Sequence, residues 1–107
     1  MTNIDIVRNK QKRIIEFSVQ GHSNYANYGE DIVCAGISAL TQAALLGLVE
    51  HLKLAVAHEV KPGLLKVTLT EQLLDERSDA ILETMVLGLR QIAQAYKKHV
   101  RIKESGR

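Results

Sequence analysis

The sequence predicts an α+β domain in which an antiparallel or mixed sheet of four to five strands packs against two helices. Three observations lead there. Apolar and polar residues alternate in short runs near the start of the chain and again in its middle, the period of strands with one buried face. Two longer runs instead place apolar residues at helical spacing. A chain of 107 residues, 46% hydrophobic and 24% charged, suits one soluble core and leaves no room for two, so residues 1–107 are expected to form a single domain.

The elements follow in order. Ile4 and Ile6 suggest a first strand, joined through Asn9, Lys10, Gln11 and Lys12 to a second in which Ile15, Phe17 and Val19 alternate with Glu16, Ser18 and Gln20. A polar segment leads into a helix from residue 32 to about 53, with Val33, Ile37, Leu40, Ala44, Leu48 and Leu52 on its sheet-facing side. Gly36, Ala39, Ala43 and Gly47 form a second stripe of small residues, where the other helix could approach closely. Residues 54–60 and 65–69 read as strands around a Pro62-Gly63 turn. Helical spacing returns over 77–98 through Ile81, Met85, Leu89, Ile92 and Tyr96, and Val100 with Ile102 suggests a short closing strand. Met85 and Tyr96 are most simply core.

Charge and composition exclude several functions. A net charge of +2 is too small to argue for nucleic-acid binding, and the basic segment KKHVRIKESGR reads as a solvated tail. No run of about 18 apolar residues stands out to span a bilayer, and MTNIDIVRNK lacks the apolar region of a signal peptide, so a cytoplasmic location is expected. One cysteine cannot form an internal disulfide, which leaves its thiol for other chemistry.

That cysteine lies in GHSNYANYGEDIVCAGISAL, residues 21–40, with His22 and Cys34 at the two ends of a glycine-bounded polar segment. The thiolate is the nucleophilic form of cysteine, and a helix N-terminus or an imidazolium stabilises it. Here both are within reach: His22 ends a strand, and Cys34 is about the third residue of a helix whose first turn has unpaired backbone N–H groups. Those N–H groups would also suit an oxyanion hole. A lone intracellular cysteine is most often a small buried hydrophobe, but this position raises the catalytic reading above that one. His51, His58 and His99 sit in contexts that read as structural or surface positions.

Asp31 suits the helix N-cap, with orientation of His22 as a second role for which Glu30 competes. Ser38, one turn beyond Cys34, reads either as a polar neighbour of the thiol or as a surface hydroxyl. Between Gly21 and Gly29, Tyr25 and Tyr28 suit either a segment that covers substrate or an ordinary packed loop. A metal site from His22, Asp31 and Cys34 fits poorly, because structural zinc takes four protein ligands and catalytic zinc favours histidine and cysteine; no metal or other cofactor is expected.

The Gly21-His22 pair, the later Gly29-x-Asp31-Ile32-Val33-Cys34-Ala35 run and Ser38 resemble the ribosomal-processing cysteine proteases of bacteria, the Prp family. Family members commonly carry alanine where this chain has Ser23, a difference that removes no reactive group. The resemblance implies that Cys34 is the nucleophile and His22 its general base and acid, with Asp31 and Ser38 supporting and Gly21, Ser23, Tyr25, Tyr28 and Gly29 in the substrate loop. It implies hydrolysis through a thioester acyl-enzyme. The substrate would be a ribosomal protein precursor, the twenty-seventh protein of the large subunit, from which a short N-terminal extension is cut next to an aromatic residue. It also implies a homodimer, with RNA contact not required. The competing expectation is a non-catalytic ribosome-associated module that binds RNA or protein, with Cys34 merely packed.

Overall fold

The computed structural model describes residues 1–22, 25–27 and 30–106. Ser23, Tyr28 and Gly29, expected in the substrate loop, lie outside the described residues.

Five strands and two helices follow the predicted order. The strands are β1 (Thr2–Arg8), β2 (Ile14–Gln20), β3 (Ala57–Lys61), β4 (Leu64–Thr68) and β5 (Val100–Gly106); the helices are α1 (Ile32–Leu46) and α2 (Glu76–Ala95). Spatially the sheet runs β3-β4-β2-β1-β5, and it is mixed, because β5 lies parallel to β1 while every other pair is antiparallel. The β1–β2 turn is closed by Asn9, whose Oδ1 accepts the N–H groups of Gln11 and Arg13 at 2.9 Å each. The β3–β4 turn uses Pro62 and Gly63, and Gly63 takes a φ of +75° that suits glycine at the third position of a type II turn.

The alternating residues of β1 and β2 deliver Ile4, Ile6, Ile14 and Phe17 to the core, where they meet Val33, Ile37, Ala44 and Leu48 of the first helix and Leu82, Met85, Val86 and Leu89 of the second. Complete burial of a side chain such as Phe17 is worth about 1.5–3 kcal/mol, so this cluster supplies the main driving force for layering the helices on the sheet. The small-residue stripe works at its two glycines. A Cβ on Gly36 would come within 3.3 Å of Ile92, and one on Gly47 within 3.2 Å of Ile81. Ala39 and Ala43 of the same stripe stay exposed.

Four expectations are corrected. Helix α1 passes into a π turn at Gly47–His51, where Leu52 N–H reaches back to the Gly47 carbonyl, and Lys53 then turns the chain at a φ of +58°. Strand β3 begins at Ala57 rather than at residue 54, because Leu54 and Val56 pack against the core as a connection, which imitates strand alternation in sequence. Helix α2 ends at Ala95, with Tyr96 as its cap. The basic C-terminal segment is no solvated tail, since residues 100–106 pair with β1 along its whole length.

The run Ile32–His51 is, by length and composition, apolar enough to cross a membrane, with a mean hydropathy of 2.0 over an 18-residue window within it. This departs from the sequence reading, because Ser38, Thr41 and Gln42 weigh little against the surrounding isoleucine, leucine, valine and alanine. The Thr41 hydroxyl is satisfied inside the helix by the Ile37 carbonyl at 2.9 Å, and Val33, Ile37, Ala44 and Leu48 are core residues of the two-layer fold.

At the far end of the sheet an ion network ties β1, β5 and α2. Arg8 donates to both carboxylate oxygens of Glu83, at 2.6 and 3.0 Å, and also reaches Glu104, which Arg90 holds at 2.8 and 2.9 Å. The hydrogen bonds from Arg8 hold the Glu83 carboxyl below the ordinary glutamate range, against the opposing effect of partial burial.

Candidate active site

Strand β2 ends at Gln20, and the next position, Gly21, admits only glycine. Its φ is +90°, and a Cβ there would stand 2.6 Å from the carbonyl oxygen of Met1. The Gly21 N–H donates to the Gly63 carbonyl at 3.0 Å, so this residue is clamped between the start of β1 and the β3–β4 turn. The clamp sets where His22 leaves the sheet.

His22 is exposed and opens onto a cleft of about 430 Å³. Helix α1 supplies one wall through Ser38, Thr41 and Gln42; the β3–β4 hairpin supplies the other through Val60, Lys61, Pro62, Gly63, Leu64 and Leu65, with Val19 of β2 beside His22. Cys34 precedes Ser38 by four residues on α1, and residues at that spacing share a helix face. The thiol is half-buried. His22 and Ser38 therefore meet at one cleft, and Cys34 stands one helical turn from Ser38 towards the helix N-terminus.

Asp31 is the N-cap of α1. Its Oδ1 accepts the N–H groups of Val33 and Cys34, both at 2.9 Å, and its Oδ2 accepts the N–H of Tyr25 at 3.1 Å. The capping role weighed from the sequence is present. The oxyanion-hole expectation for the first turn is corrected, because the Val33 and Cys34 N–H groups already bond the Asp31 carboxylate. That carboxylate also meets the positive end of the helix dipole on which the sequence reading relied for the thiolate.

Sequence reasoning missed the hairpin wall of the cleft and the surroundings of Tyr25. Pro62-Gly63 signalled a turn, but nothing in its spacing showed that the turn would face α1. Tyr25 meets the rings of Tyr96 and His99, at centroid distances of 5.3 and 5.5 Å. Tyr96 had read as core and His99 as a structural position, and no pattern in the chain links either to residue 25. Among the described residues, no group of three or more histidine, cysteine or acidic side chains is arranged to hold a metal ion.

A two-layer α+β fold with a cysteine in the first turn of a helix, and a histidine opening on a cleft walled by that same helix, carries the residue types a cysteine hydrolase uses. The family model described as cysteine protease Prp matches residues 1–101. The ribosomal processing cysteine protease Prp of Staphylococcus aureus strain Mu50 is 29% identical over 105 residues, covering 95% of this chain and 97% of the relative. Its counterpart in Bacillus subtilis strain 168 is 27% identical over 107 residues, with coverages of 95% and 96%. Among solved structures, SMU.848 from Streptococcus mutans superposes with a TM-score of 0.86 at 24% identity, covering all of this chain and 96% of that one. The S. aureus protease in complex with a substrate peptide gives a TM-score of 0.85 at 23% identity, with coverages of 97% and 99%. These superpositions establish the α+β fold.

The chain belongs to the cysteine protease Prp family. It is accordingly an enzyme, a cysteine protease, and the non-catalytic binding module weighed from the sequence gives way.

Proposed function

We propose that this chain is an endopeptidase that removes the short N-terminal extension of the twenty-seventh large-subunit ribosomal protein, acting as a single protease domain in the cytoplasm. The observation that carries the reading is the cleft shared by His22 and Ser38, one turn from Cys34 on the same helix. Its apolar hairpin wall and polar helical wall suit an extended peptide carrying apolar side chains. The relatives are named ribosomal processing proteases, and the S. aureus enzyme has been crystallised with a substrate peptide and with a covalently linked product peptide, which supports the same substrate class here.

In this reading His22 takes the proton of the Cys34 thiol, and the sulfur attacks the carbonyl carbon of the scissile peptide bond. The C–N bond breaks as His22 gives that proton to the departing amine, leaving a thioester on Cys34. Water then attacks the thioester, His22 accepts its proton, and the thiol is restored as the carboxylic acid leaves. Asp31 supports the chemistry by capping the helix at Cys34, and Ser38, one helical turn further on, lines the cleft. Residues 21–29 serve as the substrate loop, and no cofactor takes part.

The homodimer belongs to the same proposal. Leu46 and Leu87 are 58% and 60% exposed on the two helices, an apolar groove between those helices is lined by Leu40, Ala43, Ala80 and Ile81, and a second copy would cover such apolar surface. RNA contact is not required. Mass spectrometry of the extended ribosomal protein after incubation tests the central claim: wild-type enzyme should release the extension, and the Cys34→Ala variant should leave the precursor intact. Processing at the normal rate by that variant refutes it.

A further inference from the structure

Tyr25 makes contacts that the cysteine chemistry does not use. The residue is 45% exposed, yet its ring stands edge-on to two others: Tyr96 at 5.3 Å with an interplanar angle of 82°, and His99 at 5.5 Å with an angle of 81°. This seat is built on well-tied backbone. Tyr96 caps α2 through its N–H to the Ile92 carbonyl, and its own carbonyl accepts the N–H groups of His99 and Val100 at 2.9 and 3.1 Å. The His99 carbonyl in turn accepts the Thr2 N–H at 2.9 Å, which joins the turn to the sheet. On its other side, Tyr25 gives its backbone N–H to Asp31 Oδ2, the carboxylate whose Oδ1 caps Val33 and Cys34. A continuous path runs from the end of α2 through Tyr25 and Asp31 to the first turn bearing Cys34.

The geometry points to Tyr96 and His99 as positioning residues for the reaction at Cys34. They form an aromatic seat that holds Tyr25, whose backbone N–H bonds the Asp31 cap, against the end of α2. The inference rests on reading Cys34 and His22 as the reacting pair. T-shaped ring pairs stabilise beyond their simple burial, so two such contacts give a bias of about tenfold towards the seated arrangement. The sequence between His22 and Asp31 is polar, and the seat supplies a fixed partner for it from a distant part of the chain.

The test uses the full chain and a peptide spanning the cleavage junction of the extended ribosomal protein. Tyr25→Ala, which loses both ring contacts, should lower kcat about tenfold, and Tyr96→Ala, which leaves the His99 contact, about threefold. Tyr96→Phe should remain near wild type, because the contact needs the ring edge and not the hydroxyl. The double variant Tyr25→Ala with Tyr96→Ala should be no worse than Tyr25→Ala alone, because removing Tyr25 already abolishes its contact with Tyr96. Tyr25 is exposed and outside the core, so its variant should stay folded at the assay temperature and keep the result interpretable if Tyr96→Ala folds poorly. Wild-type or raised kcat in Tyr25→Ala, a Phe variant as slow as the Ala variant, or multiplicative losses in the double variant would each overturn the seat. Cleavage by Cys34→Ala would overturn the reading of the reacting pair itself, and loss in that variant alone separates the two failures.

Discussion

The carbonyl oxygen of Met1 lies 2.6 Å from the place where a Cβ on Gly21 would stand. Backbone, unlike the end of a flexible side chain, cannot swing aside, and the φ of +90° at Gly21 adds strain for any L side chain. Gly21→Ala is therefore expected to destabilise the fold by about 1–3 kcal/mol and to displace His22 from the cleft. Thermal melts check the first effect. The second predicts that the soluble fraction of the variant cleaves more slowly than wild type at temperatures where both are folded.

Asp31 divides its two oxygens between the helix cap and the Tyr25 backbone. Asparagine caps helices as well as aspartate does, but its amide has one acceptor, so Asp31→Asn can serve the cap or Tyr25 and not both. Its melting point should stay near wild type while turnover falls. Asp31→Ala loses both contacts and should cost about 0.5–2 kcal/mol of stability as well as activity. Equal melting points for wild type and Asp31→Ala would show that the cap contributes nothing.

For His22→Ala, peptide cleavage should fall at least about a hundredfold, the usual scale for losing a general acid–base. Iodoacetamide should also alkylate Cys34 more slowly near neutral pH if the imidazole draws the proton from the thiol. Alkylation at the wild-type rate would argue that the two side chains do not act as a pair.

Glu83 gives a pH-dependent prediction. Its folded carboxyl is held below the ordinary range, first by the hydrogen bonds from Arg8, so its contribution is fully present above the unfolded value of about 4.3 and is lost as pH falls through the lower folded value. At 44% side-chain exposure the pair is screened and is worth no more than about 1 kcal/mol. Glu83→Gln should therefore melt slightly below wild type at pH 7, and the difference should narrow as pH falls below the ordinary glutamate range and close once it passes the lower folded value. A constant difference across that range would assign the effect to packing.

Local patterns carried much of this structure into the sequence. Ile4, Ile6, Phe17 and Val19 announce β1 and β2 because alternation is a property of one strand, and the Asp31 cap is legible because it acts within three residues. The same locality explains the misreadings. Leu54 and Val56 alternate like strand residues but pack as a connection, and the basic residues after Val100 look solvated until β1 is placed beside them. The site divides in the same way: the His22–Cys34 spacing and Ser38 are visible in one segment, whereas the hairpin wall of the cleft and the aromatic partners of Tyr25 depend on tertiary folding.

The parallel pairing of β1 with β5 joins Thr2 to Val100 and Arg8 to Gly106. A contact between such distant parts of the chain closes a very long loop, and its entropic cost must be met before the pairing returns any energy. During synthesis the inner strand β1 would have to wait, with one edge unsatisfied, until residues 100–106 had been made. Removal of residues 100–106 would leave that edge open for good, and such a chain would be exposed to intermolecular strand addition and aggregation.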